Sequence, residues 1–288
     1  MNILTYVKRA IQYIVRGPNI IKKTNVNIIC LAPNELLKDR TAIITGGTSG
    51  IGYAIALAFL QSQANVIITG RNKEKLDSCV NALREQGYNN IYCCHLDNLC
   101  ISSFEEKINE MVQIVPTKRI DILVNNAGIL GGHISTSTIE EFSKVMDTNL
   151  KSVFFLSKHF ATYLKKNGIK GNILNIASSS SIRPAVSAYT LSKWGIRGLT
   201  LGLAKSLSPY GITVNAIAPG QTATPMLIKE GTDNYANNLP LERYVMPCEI
   251  ANMAVFLTSE MGRSVIGDVI YMTGGAGLLT NEDMDYSF

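Results

Sequence analysis

From residue 42 onward, short runs of aliphatic and β-branched residues alternate with longer stretches whose apolar positions recur every three or four residues. Strands buried on both faces read as continuous apolar runs, whereas amphipathic helices read as stripes of period 3.6. Seven runs have strand character: AIIT (42–45), NVIIT (65–69), NIYCC (90–94), IDILVN (120–125), NILNIA (172–177), ITVNAI (212–217) and DVIYM (268–272). Helical spacing covers 50–62, 72–86, 101–114, 138–166, 187–208 and 247–259. Every hop between strands exceeds a dozen residues, which suits right-handed crossovers rather than hairpins. The pattern predicts an α/β fold built on a seven-stranded parallel sheet with helices on both faces. The longest irregular stretch, 220–246, carries Gly220, Pro225, Gly231 and Pro240, and a loop of this length is expected to act as a lid or binding loop.

The pattern also sets the domain limits. Residues 36–275 read as one catalytic-size domain, 1–35 as a basic N-terminal extension and 276–288 as a tail. Within residues 1–20, Ile11, Ile14 and Val15 form a short apolar stripe flanked by basic residues. Packing of that stripe on protein is favoured over contact with a membrane surface.

Charge narrows the classes of partner. Residues 1–40 hold seven basic side chains against Glu35 and Asp39, which equals the whole net charge of +5. The rest is near neutral and offers no basic face for nucleic acid. Six cysteines show no metal-ligand spacing with His95, His133 or His159, so reduced thiols, a cytoplasmic setting and no metal are expected. The segment MNILTYVKRAIQYIVRGP is broken by Lys8, Arg9 and Arg16, unlike the apolar core of a signal peptide, and no run is long enough to span a membrane.

Candidate chemistry begins at AIITGGTSGIGYAIALAFL, where a strand passes through a glycine-rich turn into a helix. Gly46, Gly50 and Gly52 are spaced GxxxGxG; without Cβ atoms the backbone can approach a pyrophosphate, and the helix N-terminus faces its charge. No Lys follows Gly50 or Gly52, which disfavours a nucleoside triphosphatase. An acidic residue at the end of the second strand would hold a ribose 2′-hydroxyl, but here Gly70 and then Arg71 follow, favouring NADP(H) over NAD(H).

In AYTLSK (188–193), Tyr189 precedes Lys193 by four residues, one helical turn. Taken alone, a surface tyrosine beside a solvated lysine is the simpler reading. As a pair they suit proton transfer: the phenol, with a pKa near 10, is poorly matched to neutral pH, and a nearby ammonium is expected to lower it.

These motifs, in this order and spacing, resemble the short-chain dehydrogenase/reductase family in its single-domain Rossmann-fold branch. TGGTSGIG (45–52) resembles the family's cofactor turn, LDN (96–98) its adenine contact, NNAG (125–128) the turn after its fourth strand, and APG (218–220) with Thr224 its nicotinamide-side loop. The likeness covers about residues 36–275. It implies a catalytic tetrad of Asn149, Ser178, Tyr189 and Lys193. It implies cofactor contacts at Gly46, Thr48, Ser49, Gly50, Ile51, Gly52, Arg71, Asp97, Asn98, Asn125, Ala127, Gly128, Pro219, Gly220, Thr222 and Thr224, besides Tyr189 and Lys193. In the implied roles Ser178 hydrogen-bonds the substrate oxygen, Lys193 also binds nicotinamide ribose hydroxyls, and Asn149 holds a water in a proton relay. One departure stands out: four serines, Ser178 to Ser181, run together, and the serine sits closer to Tyr189 than is usual in the family. Ser178 is favoured and Ser179 is the fallback.

The resulting expectation is an oxidoreductase that interconverts a carbonyl and a secondary alcohol. The alternatives are a dinucleotide-binding sensor or scaffold without turnover, and an epimerase or dehydratase that uses bound cofactor transiently. A homo-oligomer, dimer or tetramer, follows from the family resemblance, with the helices at 138–166 and 187–208 as the expected interface. The substrate is a small carbonyl or alcohol of undetermined class, because the 220–246 loop mixes Met226, Leu227, Ile228, Tyr235 and Tyr244 with Lys229 and Arg243.

Overall fold

A computed structural model describes residues 33–227 and 239–276, all within one compact unit that runs from Leu31 to Phe288. The stripe at Ile11, Ile14 and Val15, the 276–288 tail beyond Ala276, and Ile228, Lys229 and Tyr235 of the long loop lie outside the described residues.

Seven strands form one parallel sheet: β1 (Thr41–Thr45), β2 (Asn65–Gly70), β3 (Ile91–His95), β4 (Ile122–Asn125), β5 (Asn172–Ile176), β6 (Thr213–Pro219) and β7 (Val269–Met272). Their order is β3-β2-β1-β4-β5-β6-β7. The chain therefore winds outward from β1 in one direction, then restarts beside it at β4. This reversal opens a crevice at the carboxyl ends of β1 and β4, the place where doubly wound folds bind ligands.

The expected strands hold to within one or two residues at each end, and so do most of the helices: α1 (Gly50–Gln61), α2 (Lys73–Glu85), α3 (Phe104–Ile114), α4 (Ile139–Met146), α5 (Ser152–Lys166), α6 (Ala188–Leu207) and α7 (Pro247–Thr258). Two stretches differ. The helix expected at 101–114 opens with a 3-10 turn at Ile101–Ser103, and the one expected at 138–166 is split by a π-helical segment, Asp147–Lys151. Apolar periodicity runs through both irregularities, so only hydrogen bonding reveals them.

Adjacent strand residues serve opposite faces. Ile44, Val66, Ile68 and Val124 pack with Phe59 of α1, Leu76 of α2 and Ala254 of α7. Ile43, Ile67 and Leu123 pack with Phe104 of α3, Phe160 of α5 and Leu207 of α6. A strand with both faces buried needs an unbroken apolar run, which is why TAIIT is buried at every position. Five described cysteines, Cys79, Cys93, Cys94, Cys100 and Cys248, are free thiols. Among the described residues no helix is long and apolar enough to cross a membrane, and no cluster of His, Cys, Asp and Glu could hold a metal.

Candidate active site

Because all seven strands are parallel, the turns that follow β1 to β6 meet at one edge of the sheet, and the motifs read from the sequence lie there. The turn after β1 is held in shape by three glycines. Gly46 and Gly50 have positive φ (65° and 56°), and a Cβ on Gly52 would lie 2.4 Å from the Gly46 carbonyl oxygen. No other residue type combines these backbone conformations with such close approach. Ser49 is the N-cap of α1, yet its side chain makes no capping bond, so the first N–H groups of α1 face the turn without an internal acceptor from it. Thr48 and Ile51 flank it, half-buried.

Thr45 locks this turn to the one after β4. Its hydroxyl accepts hydrogen bonds from the N–H groups of Asn126 (2.9 Å) and Ala127 (3.0 Å), and the Asn126 amide donates to the Thr45 carbonyl (2.8 Å). Asn125 points the other way, into the core, donating to Ser157 (3.0 Å) and to the Asn175 side chain (2.9 Å). Gly128 sits where a Cβ would lie 3.3 Å from Asn149 Oδ1 and 3.8 Å from Lys193 Nζ, so glycine there lets backbone pass beside two members of the expected tetrad.

Further along the edge, Arg71 is exposed at the end of β2 and makes no ion pair among the described residues; its carbonyl accepts from or faces His95 Nε2 at 3.0 Å. Asp97 Oδ1 accepts from the Leu99 N–H (3.0 Å), and Asn98 is half-buried beside it. After β6, Gly220 N–H donates to Met272 (2.9 Å), Thr222 is buried and bridges to Val245, and the Thr224 methyl stands 3.4 Å from the place a Gly50 Cβ would occupy. Pro219, the last residue of β6, is therefore followed by a loop that abuts the glycine turn.

The four expected catalytic side chains come together on α6 and the elements beside it. Ser187 caps α6 by accepting from Thr190 N–H (3.1 Å), which places Tyr189 in the first turn and Lys193 one turn further. Lys193 is buried, its ammonium donates to the Ile176 carbonyl at the end of β5 (2.8 Å), and its Nζ lies 5.6 Å from the centre of the Tyr189 ring. Burial lowers its pKa to about 8.

Tyr189 differs from the expectation in its electrostatics. Burial dominates and holds the phenol above its ordinary pKa, while a hydrogen bond with Ser178 pulls in the opposite direction. The physical reason is that phenol and ammonium share one desolvated pocket that disfavours both charged forms, and Lys193 spends a donor on Ile176. Ser178, rather than Lys193, is the group acting to lower the Tyr189 pKa in this structure.

Ser178 also caps a 3-10 turn, Ser179–Ile182, accepting from Ser180 N–H (3.1 Å). Ser181 is tied down by the Ser178 carbonyl (2.7 Å) and lies 3.1 Å from the Tyr271 hydroxyl. Of the four serines, Ser178 is the one that acts on the Tyr189 phenol, drawing its pKa downward.

Asn149 lies inside the π-helical segment, fully buried. Its Oδ1 accepts from the Ile129 N–H (2.8 Å) and its Nδ2 donates to the Ile129 carbonyl (2.8 Å) and to Ser192 Oγ (3.2 Å). The side chain is thus engaged with protein on both of its ends. Ser192 was given no role in the sequence reading, although it sits inside AYTLSK; its Oγ donates in turn to the Tyr189 carbonyl (2.6 Å). A polar residue at a core-facing helical position was the available signal. Ile129 and Ile176 act through backbone contacts that residue type does not announce, and Thr45 acts chiefly through a hydroxyl at the end of an apolar strand run.

Two surface depressions, of about 460 and 470 Å³, lie elsewhere, one beside Asp77, Arg84 and Cys93 and the other beside Arg40, Asp121 and Arg263; neither includes a residue of this site.

Known proteins resemble this chain in sequence and in fold. Residues 40–234 match the family model described as short chain dehydrogenase. A Rickettsia felis protein named 3-oxoacyl-[acyl-carrier-protein] reductase FabG is 35% identical over 245 residues, covering 83% of this chain and 97% of that protein. A 3alpha-hydroxysteroid dehydrogenase of Mediterraneibacter gnavus is 36% identical over 254 residues, covering 84% and 98%. A solved short chain dehydrogenase from Burkholderia cenocepacia, in complex with NADP, superposes with a TM-score of 0.74 at 28% identity, covering 83% of this chain and 98% of that one.

Proposed function

We propose, from the premise that this chain belongs to the short-chain dehydrogenase/reductase family, that Tyr189 is the acid and base of its reaction and that NADP(H) is its preferred cofactor. The reaction itself is that of the family, NAD(P)-dependent interconversion of a carbonyl and an alcohol. The observation that carries the assignment of roles is the meeting at the start of α6 of the Tyr189 phenol, the Ser178 hydroxyl that acts on it and the Lys193 ammonium 5.6 Å from the ring centre.

The cradle suits a dinucleotide. Gly46, Gly50 and Gly52 leave room for a pyrophosphate against the start of α1, with Thr48, Ser49 and Ile51 beside it. Arg71 would meet a 2′-phosphate, Asp97 and Asn98 an adenine, and Ala127, Gly128, Pro219, Gly220, Thr222 and Thr224 the nicotinamide half; Asn125 supports the floor. When bound, the cofactor supplies or accepts the hydride. The chain's own part is the proton. In reduction the Tyr189 hydroxyl gives its proton to the developing alkoxide, and in oxidation the phenolate takes it back. Ser178 orients the same oxygen. Lys193 carries positive charge below about pH 8, and its ammonium is held beside the phenol by the Ile176 carbonyl. Asn149, engaged at both ends of its side chain, positions the loop at Ile129 and α6.

The free thiols support a reducing compartment such as the cytoplasm, and exposed Phe154 on α5 and Leu201 on α6 support a homo-oligomer, dimer or tetramer, as the assembly. The deciding experiment is Tyr189→Phe: carbonyl reduction is expected to fall at least a thousandfold while NADPH binding stays within about threefold. Turnover at the parent rate would refute the assignment.

A further inference from the structure

We infer that the natural substrate of this site carries an extended apolar skeleton, aliphatic or alicyclic, rather than a polyhydroxylated or sugar-acid one; the inference deepens the function proposed above and rests on it only for the location of the reacting carbonyl. Two segments flank Tyr189. The 129–134 loop is fastened to the start of α6 by Ala188 N–H to the Gly132 carbonyl (2.8 Å) and Tyr189 N–H to the Gly131 carbonyl (3.4 Å), and Ile134 N–H donates to the Val186 carbonyl (2.9 Å). Residues 129–138 and 178–187 thus form one rim beside the phenol.

That rim holds a single formally charged side chain, Arg183. Beside exposed Arg183 and His133, it shows four exposed apolar side chains: Ile134 is 78% exposed and Val186 51%, with Leu130 and Ile182 also exposed. Several of its polar groups are turned on one another or on Glu141 and Thr190. His133 Nδ1 lies 2.7 Å from Ser135 Oγ, Ser137 Oγ donates to Glu141 Oε2 (3.3 Å), Gly132 N–H donates to Glu141 Oε1 (3.1 Å), and Ser187 Oγ donates to Thr190 Oγ1 (3.0 Å). A site built to hold sugar hydroxyls keeps donors and acceptors available, because unpaired polar groups on either side are costly. Here these polar atoms are spent locally, the Arg183 guanidinium apart, and hydrocarbon is displayed, the arrangement that gains from apolar contact.

The chain contains one tryptophan, Trp194, whose indole N–H donates to the Arg183 carbonyl (2.8 Å), so its fluorescence reports on this rim without requiring turnover. The test is a titration of the full-length protein, with and without NADP, against 2-butanone, 2-hexanone and 2-octanone, with fructose as the hydroxylated counterpart. Complete burial of each added methylene would tighten binding about fourfold. On a rim that stays partly wet, about twofold per methylene is expected, with fructose weaker than 2-hexanone. Replacing both Ile134→Ser and Val186→Ser is expected to cut that dependence by at least half. Affinity independent of chain length, tighter binding of fructose, or an unchanged slope in the double variant would overturn the inference. Turnover of the same ketones is read separately: chain-length-dependent binding without turnover would sustain the apolar rim and sink the proposed catalytic roles.

Discussion

Asn149 Nδ2 donates to Ser192 Oγ at 3.2 Å, and Ser192 Oγ donates to the Tyr189 carbonyl at 2.6 Å, so the π-helical segment is joined to the first turn of α6 through one serine hydroxyl. The same asparagine holds the Ile129 backbone on its other side. The Tyr189 backbone, the start of the rim at Ile129 and the break between α4 and α5 are therefore coupled through two buried side chains.

Ser192→Ala removes only the link. A single neutral hydrogen bond is worth about 1 kcal/mol, so a small loss of stability is expected together with a fall in kcat of about tenfold. Asn149→Ala also removes the partners of the half-buried Ile129 N–H and carbonyl, and up to about 1–3 kcal/mol for each group predicts a larger loss. Chemical denaturation and steady-state kinetics on the two variants check the order. Equal effects would contradict the bridging role.

The depressed pKa of Lys193 makes the stability of the cofactor-free protein depend on pH. In the unfolded chain this lysine titrates near 10.5, and in the folded protein near 8. Between those values the unfolded state binds more protons, so this lysine makes stability rise with pH from about 8 to about 10.5. Below pH 8 both states are protonated and the cost of burying the charge is felt in full. Lys193→Met should thus be more stable than the parent at pH 7, by up to about 3 kcal/mol, with the difference shrinking as pH rises. Tyr189, whose pKa is raised, works in the opposite sense above pH 10, so denaturation curves between pH 7 and 10 are the measurement. A pH-independent difference would show that Lys193 keeps its ordinary pKa when buried.

The run of serines is separable by substitution. Ser178→Ala removes the hydroxyl that acts on Tyr189 and is expected to lower kcat about a hundredfold, a typical cost for a donor at a reacting oxygen. It should also move the Tyr189 pKa further upward, visible in the pH profile of alcohol oxidation. Ser179→Ala should stay within about threefold. Reversal of these two results would transfer the role to Ser179.

Arg71 stands exposed with no ion pair among the described residues, so a phosphate need not displace an existing partner. A charge-assisted hydrogen bond contributes about 1.5–3 kcal/mol, and Arg71→Ala is expected to weaken NADPH binding about ten- to a hundredfold while changing NADH less than threefold. Fluorescence titration of both cofactors decides it. Equal losses would return Arg71 to the status of a solvated residue at the start of α2.

What the sequence determined by itself was the sheet, the glycine turn and the Tyr189/Lys193 pair, because each is a local rule: continuous apolar runs, missing Cβ atoms, one helical turn of spacing. Residues as far apart as Thr45 and Val269 could be placed on one framework from patterns only a few residues long. Tertiary structure alone decided three things. It settled the balance of charge in the pocket, since burial of Tyr189 and Lys193 depends on strands and helices far away in sequence. It turned Asn149 toward Ile129 and Ser192, contacts spanning 20 and 43 residues that no periodicity encodes. It also set the apolar rim facing outward, because whether Ile134 and Val186 are core or surface depends on what the fold leaves uncovered. Spacing reports which residues share a face, and desolvation and long-range pairing exist only once those faces meet.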